Sequence, residues 1–328
     1  MFDKPIGGTE LMFEELMKRT SGKYDHLSIF SYIGQADFNK TTVYWNQLSY
    51  DQQGVQWLSD PKNVEMIDQF VFVSHWQAER YRLIFGIPGY KTAVIKNACI
   101  GVDKRYTGNK EKLKICYTST PFRGLDVLLE AWDILNPENC ELHVFSSCQI
   151  YGPDFAETEE PKYTDLYSKC LNTKNIVYRG SIPNDELRKE LPTFDILAYP
   201  NTFEETSCIA VIEALSAGLR VITSNIGALP ETTEGWARMY PYLMDKQKHA
   251  EVFAKILGEE INKLRSGELN SHLEQQKQIY APRWSWNERI NEWTNFLNTL
   301  SPKDSSILEP TSETSPNKST TVIQNVGL

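Results

Sequence analysis

Strongly apolar runs alternate with amphipathic helical segments along most of this chain. In the first hundred residues, "HLSIFSYI", "TTVYWNQLS", "QFVFVSHW" and "KTAVIKNAC" have the composition of strands, whereas "LMFEELMKR" and "QAERYRLIF" have helical spacing. Parallel strands need crossover helices between them, and strands buried on both faces read as nearly continuous apolar runs. This order therefore limits the chain to the α/β class with parallel sheets.

The same alternation restarts after the polar link "GVDKRYTGNKEK". The second series holds the strand candidates "LKICYTS", "CELHVFSS", "NIVYRG", "FDILAYP" and "LRVITS", and from about residue 246 to residue 300 the pattern is helical only. Two series predict two Rossmann-like domains, at residues 1–105 and 106–282. They are followed by a helix at residues 283–300 and a disordered tail at residues 301–328, which is rich in Ser, Thr and Pro.

Composition argues against several classes of function. The 328 residues carry a net charge of −9, which argues against nucleic acid as a partner, since binding it needs a basic face. No apolar run approaches the roughly 20 residues that span a bilayer, and the N-terminus lacks a secretory signal, so we expect a cytoplasmic protein. The six cysteines and five histidines lack metal-ligand spacing, so we expect reduced core thiols and no metal site.

One stretch, "FDILAYPNTFEETSCIAVIEALSAGLRVITSNIGALPE", combines a strand, an irregular loop and a helix. The strand ends at Pro200, and Thr206 or Ser207 would cap a helix that begins there. The free backbone N–H groups of Ser207, Cys208 and Ile209 would then form an anion site at the helix N-terminus. In an open α/β sheet, ligands bind at this carboxyl end of the strands.

Two carboxylates flank that anion site. Glu205 precedes the helix, and Glu213 lies roughly 9 Å along its axis from the N-terminus at about 1.5 Å per residue. A ligand with a central diphosphate and a polyol at each end would match, because a carboxylate accepts hydrogen bonds from two adjacent hydroxyls. A solvated helix face is the alternative for Glu213, and its apolar neighbours Ile212, Ala214 and Leu215 argue against that alternative.

Glu205-x7-Glu213 followed by "EALSAGLRVITSNIGALPE" resembles the E-x7-E signature of retaining GT-B glycosyltransferases of the large family 4 group, the glycosyl transferases group 1. The resemblance covers nearly all of residues 1–300. It extends to "FVFVSHWQAERY" with "AVIKNACIGVD", to "GSIPNDELRKELPTFDILAYP" and to "YAPRWSWNERINEW", which resembles the C-terminal helix that crosses back to the first domain. It implies two Rossmann-like domains that face a cleft.

The resemblance implies a role for each matching residue. Glu205 would bind donor-sugar hydroxyls, Glu213 the ribose, and Arg123 the diphosphate. Glu205 and Arg123 are therefore also catalytic candidates. A second basic position of the family is occupied here by Thr118, or a residue close to it, so one phosphate contact is missing. The remaining donor-binding candidates in the second domain are Thr206, Ser207, Cys208 and Ile209 for the distal phosphate, and Ser181 and Ile182 for the base.

In the first domain, the glycine loop "GGTE" resembles the loop that faces the donor cleft, so Gly7, Gly8 and Thr9 are donor-site candidates. Many relatives have a histidine near the donor sugar, where "YWNQLSYDQQ" offers only Asp51 as a catalytic candidate. His75 is treated as structural, with a site role left open. Only six residues precede Gly7, so the usual first strand is missing here. Either the true start lies upstream of this sequence, or the first domain is reduced and another segment or a partner subunit fills the gap. In both cases we expect the sheet of this sequence to begin at "HLSIFSYI".

The predicted activity is metal-independent hexosyl transfer, with retention, from a UDP- or GDP-sugar to a hydroxyl of a glycan, a lipid-linked molecule or another acceptor, as in polysaccharide biosynthesis. The nucleotide-sugar is a substrate, and no cofactor is expected. Three alternatives stay open: an inactive nucleotide-sugar-binding module, a phosphorylase- or epimerase-like GT-B enzyme, and a transferase that glycosylates modified DNA bases. The donor, the acceptor, the oligomeric state and any peripheral membrane contact are left undetermined.

Overall fold

Two parallel β-sheets form the framework of the computed structural model, which describes residues 7–101 and 111–303. We call the part built on the first sheet, residues 7–101, the first lobe, and the part built on the second sheet, residues 111–283, the second lobe. The predicted α/β class with parallel sheets is confirmed. The predictions for residues 1–6, for the link at 102–110 and for the tail from residue 304 fall outside the described residues.

The first sheet has four parallel strands in the order β1-β2-β3-β4. Its apolar residues form two clusters, and one of them includes side chains of the first and last helices of the chain. The elements of this lobe are α1 (Gly8–Thr20), β1 (Leu27–Phe30), β2 (Thr41–Asn46), α2 (Pro61–Met66), β3 (Gln69–Phe72), α3 (His75–Phe85) and β4 (Thr92–Val94).

The second sheet has six parallel strands in the order β10-β9-β8-β5-β6-β7. The short elements α2, α5, α9 and β10 have too few residues to show a clear period, and the sequence did not predict them. The elements of this lobe are β5 (Leu113–Thr118), α4 (Leu125–Leu135), β6 (Cys140–Phe145), α5 (Pro153–Glu159), α6 (Thr164–Asn172), β7 (Ile176–Tyr178), α7 (Asn184–Glu190), β8 (Ile196–Tyr199), α8 (Ile209–Ala217), β9 (Arg220–Ser224), α9 (Leu229–Thr233), β10 (Arg238–Tyr240), α10 (Lys246–Ser266) and α11 (Asn270–Arg283).

The last described helix, α12 (Trp286–Leu297), follows the second lobe in sequence but packs in the core of the first. The ring of Trp293 meets that of Trp45 on β2 edge to face, with 4.7 Å between centroids. Just before this helix, the amide of Cys99 donates to the carbonyl of Trp284 at 2.8 Å. The two lobes are therefore joined at the end of β4 as well as through α12.

Candidate active site

The cleft lies where the strand order of the second sheet reverses. Strand β5 has β8 on one side and β6 on the other, and ligands of open α/β sheets bind at the carboxyl ends of strands beside such a point. A pocket of about 150 Å³ is found there. Its walls include Gly7 and Gly8 from the first lobe, Ser181 and Ile182 after β7, and Ile209, Ala210 and Glu213 from α8.

Glu205 is held by a buried network at the end of β8, where only 4% of the residue is exposed. Its Oε1 accepts hydrogen bonds from the hydroxyl of Tyr199 at 2.5 Å and from Nη1 of Arg123 at 3.0 Å. Tyr199 is the last residue of β8, and Arg123 lies in the loop that follows β5. The two neighbouring strands thus bring the predicted Glu205 and Arg123 into direct contact.

Gly227, from the quoted "NIGALPE" segment, fixes the backbone of Glu205. Its φ is +65°, and a Cβ placed there would lie 2.6 Å from both the amide nitrogen and the carbonyl oxygen of Glu205. The next amide, of Ala228, donates to that carbonyl at 2.7 Å. Only glycine allows both this positive φ and this close approach of the two backbones. The loop that carries Glu205 and the "NIGALPE" segment are therefore packed directly against each other.

Arg123 has a donor that nothing in the described structure uses. Besides Glu205, it contacts the hydroxyl of Tyr151 through Nη2 at 3.3 Å, and its guanidinium lies 4.5 Å from the ring centroid of Phe203. Its Nε is buried and has no hydrogen-bond partner among the described residues. A buried donor of this kind costs free energy unless a ligand accepts its hydrogen bond.

Helix α8 begins at Ile209, with Cys208 as its N-cap, so the predicted start at Thr206 or Ser207 is wrong. The Thr206 hydroxyl donates instead to the carbonyl of Gln47 in the first lobe at 2.8 Å, so a contact between the lobes replaces the local cap. The first intrahelical bond runs from Ile212 to Cys208. The free amides at the start of the helix are therefore those of Ile209 and Ala210, two residues that line the pocket.

Ser207 and Cys208, predicted to present amides to a phosphate, are both buried before the helix start. The Ser207 hydroxyl has no partner among the described residues. All six cysteines are free and buried, as expected of core thiols.

Glu213 is a buried carboxylate that lines the pocket, with 4% of the residue exposed. Its nearest cation is Nη1 of Arg188, 3.7 Å from its Oε1. Burial raises the pKa of Glu213 to about 7, and Arg188 only partly opposes that effect. The alternative of a solvated helix face is wrong for this residue.

The glycine loop of the first lobe touches the second lobe. A Cβ on Gly8 would lie 2.8 Å from Cδ1 of Ile209, so the loop contacts α8 at its first residue. Thr9, in the first turn of α1, lies beside the hydroxyl of Tyr32. Asp51 is exposed, while its neighbour Tyr50 donates to Oε2 of Glu204 at 3.0 Å, so this loop also reaches the segment before Glu205.

The sequence did not predict a contact made by Glu231, the last residue of "NIGALPE". Its carboxylate accepts hydrogen bonds from the amides of His75 at 2.9 Å and Trp76 at 3.2 Å, and it contacts Nδ1 of His75 at 2.8 Å. Burial alone would raise the pKa of Glu231. The hydrogen bonds from His75 and Trp76 outweigh that effect, so the pKa lies below its ordinary value. Glu231 thus links the second lobe to the N-terminus of α3.

Neither a cluster of metal ligands nor a membrane-spanning helix occurs in the described parts of the chain. Within residues 7–101 and 111–303, no three His, Cys, Asp or Glu residues are grouped as metal ligands would be. The helices in these same ranges include none with the length and apolar character of a membrane span.

Comparison with known proteins agrees with this geometry. Residues 113–259 match the family model "Glycosyl transferases group 1". Over 172 residues the chain is 27% identical to one of the subunits of the phosphatidylinositol N-acetylglucosaminyltransferase of Arabidopsis thaliana, a match that covers 50% of this chain and 36% of that protein. The chain thus spans about a third of the length of this curated relative.

Solved glycosyltransferase structures share the fold over most of the chain. A glycosyltransferase from Rickettsia africae superposes with a TM-score of 0.66 at 15% identity, covering 91% of this chain and 83% of that one. HepE of Anabaena in complex with UDP and glucose gives 0.61 at 13% identity, covering 91% and 85%. The chain therefore has the GT-B fold, and its residues 113–259 carry the match to the group 1 glycosyl transferases that the motifs predicted.

Proposed function

We propose that this protein transfers a sugar from a UDP- or GDP-sugar to an acceptor hydroxyl, with retention and without a metal. The observation that carries the proposal is a pair of buried carboxylates. Glu205 lies just before α8 and is bonded to Arg123, and Glu213 lies on α8 in the pocket wall. Burying a carboxylate costs free energy unless hydrogen bonds compensate that cost. A donor with hydroxyls at both ends would donate such bonds to both carboxylates.

The unpartnered groups of the cleft fit a nucleotide diphosphate. Ile209, Ala210 and Glu213 lie in the pocket wall, where the two amides suit the diphosphate and the carboxylate suits the ribose diol. Arg123 lies beside Glu205 and is not part of that wall, but its Nε lacks a partner among the described residues and is a further donor suited to the diphosphate. The hydroxyls of Ser146 and Ser181, two residues of the pocket wall, also lack partners among the described residues. The structural neighbour HepE was solved with UDP-glucose, and we infer a similar ligand class here.

In the proposed reaction, the acceptor oxygen attacks the anomeric carbon from the face that the diphosphate leaves. The carbon–oxygen bond to the diphosphate breaks as the new glycosidic bond forms, and the acceptor proton passes to the departing phosphate. Arg123 and the helix amides stabilise the negative charge that develops there. Asp51, exposed beside the Tyr50–Glu204 contact, is proposed to approach the acceptor or the donor sugar.

An inactive nucleotide-sugar-binding module is the second candidate, and one observation favours it. Thr118 lines the pocket where a basic residue is expected, and the remaining Arg123 is already paired with Glu205. Fewer cations then face a departing diphosphate.

A donor screen tests the proposal. The protein is incubated with UDP-, GDP- and ADP-sugars, nucleotide release is measured, and the anomeric configuration of any product is read by NMR. We expect turnover with a UDP- or GDP-sugar that is lost in Glu205→Ala and kept in Glu79→Ala, an exposed residue of α3. Binding without turnover would favour the inactive module, and full turnover in Glu205→Ala would refute the assigned site.

A further inference from the structure

A carboxylate and a phenol of the first lobe form a pair close to Gly7 of the pocket wall, and they have no part in the donor machinery described above. Glu10 lies in the first turn of α1, and Tyr32 follows the carboxyl end of β1. Their side chains meet, because the hydroxyl of Tyr32 donates to Oε1 of Glu10 at 2.8 Å. The pair therefore lies at the carboxyl end of β1, the end of a parallel sheet at which α/β proteins bind ligands.

The position of Glu10 relative to the donor site follows from Gly7. A Cβ on Gly7, which lines the pocket, would lie 3.0 Å from Oε2 of Glu10 and 3.4 Å from Cε1 of Tyr151. Tyr151 belongs to the second lobe and accepts a hydrogen bond from Arg123, which is paired with Glu205. The carboxylate of Glu10 is thus separated from the Glu205 network by one aromatic ring.

Glu10 has spare hydrogen-bonding capacity. Its Oε1 accepts the bond from Tyr32, whereas its Oε2 accepts no hydrogen bond within the described ranges. Tyr32 is 37% exposed, so part of its ring is open to solvent. A half-open ring with a polar edge, next to a carboxylate with a free oxygen, matches a molecule that has both apolar C–H faces and adjacent hydroxyls.

We propose that Glu10 and Tyr32 bind the acceptor, and that the acceptor is a sugar. This inference rests on the proposed glycosyl transfer and adds the acceptor class and two residues to it. Glu10 accepts hydrogen bonds from adjacent hydroxyls of the acceptor ring, and the ring of Tyr32 packs against its C–H face. A monohydric lipid alcohol lacks the second hydroxyl that this carboxylate would bind.

The test compares Glu10→Gln with Glu14→Gln, an exposed glutamate of the same helix. With the donor identified in the screen, nucleotide release is measured in water, with methyl pyranosides of glucose, galactose, mannose and N-acetylglucosamine, and with detergent-dispersed octanol. UDP or GDP affinity is measured in parallel by calorimetry, to show that each variant keeps its donor site.

We expect a pyranoside, and not octanol, to raise turnover in the unmodified protein. Glu10→Gln should lower kcat/KM for that pyranoside about tenfold or more, as expected for a lost hydrogen bond to a charged group, with nucleotide affinity and hydrolysis in water unchanged. Equal pyranoside dependence in Glu10→Gln and Glu14→Gln, or stimulation by octanol alone, would overturn the inference. If no nucleotide binds the unmodified protein, the proposed function itself fails.

Discussion

Replacing Glu213 by glutamine should stabilise the ligand-free protein in a way that depends on pH. Burial raises the pKa of this carboxyl from 4.5 to about 7, so its ionised form is less stable in the folded state than in the unfolded chain. The cost is small at low pH, where both states are protonated, and it is fully present above pH 7. One pKa unit corresponds to about 1.4 kcal/mol, so the penalty is at most about 3 kcal/mol at pH 8 and about 1 kcal/mol at pH 5.

Urea unfolding of both proteins at pH 5 and pH 8 measures this difference. We expect Glu213→Gln to be more stable than the unmodified protein at pH 8 by up to about 3 kcal/mol, less whatever is lost with the Arg188 contact, and by clearly less at pH 5. The same variant should bind UDP or GDP more weakly, because the amide accepts hydroxyls less strongly than a carboxylate. An equal stability difference at the two pH values would refute the assigned burial cost.

Two further predictions concern the "NIGALPE" segment. Gly227→Ala should abolish donor turnover and destabilise the protein, because its Cβ would meet the Glu205 backbone at 2.6 Å. Gly235→Ala is the control in urea unfolding: Gly235 has a φ of +83° and open space around it, so this variant measures the cost of backbone strain alone. Glu231→Gln should cost about 1–2 kcal/mol at pH 7, since His75 is largely exposed. The pKa of Glu231 is lowered, so this difference should persist above pH 4.5 and disappear as acid protonates the carboxylate; a loss that is independent of pH would contradict the role of its charge.

Periodicity predicted the larger strands and helices because burial on a sheet leaves a local pattern of apolar residues. The strands "LKICYTS" and "LRVITS" correspond to Leu113–Thr118 and Arg220–Ser224. The start of α8 could not be predicted in the same way. Thr206 is a favourable N-cap by local chemistry, but its hydroxyl bonds to Gln47, which is 159 residues away in the sequence.

The site residues also differ in whether the local sequence identifies them. Glu205 and Glu213 stand in a spaced motif beside a predicted helix, so the sequence identifies both. Tyr151, Tyr199 and Glu231 gain their importance only from partners on other elements, and an isolated tyrosine or glutamate gives no local signal. The segment "NIGALPE" stands out as a motif in the sequence. Its structural role depends on distant residues, because its glycine packs on the Glu205 backbone and its glutamate accepts hydrogen bonds from the first amides of α3.

The packing of α12 has a consequence for the order of events during synthesis. Trp286, Trp293 and Leu297 belong to the same apolar cluster as Trp45 and Val71 of the first sheet. A ribosome therefore completes the first lobe's strands nearly two hundred residues before it makes the helix that covers them. During that interval one face of the first sheet lacks part of its apolar cover, whereas the second lobe can assemble from consecutive residues. The lobe that is synthesised first is thus the one whose core closes last.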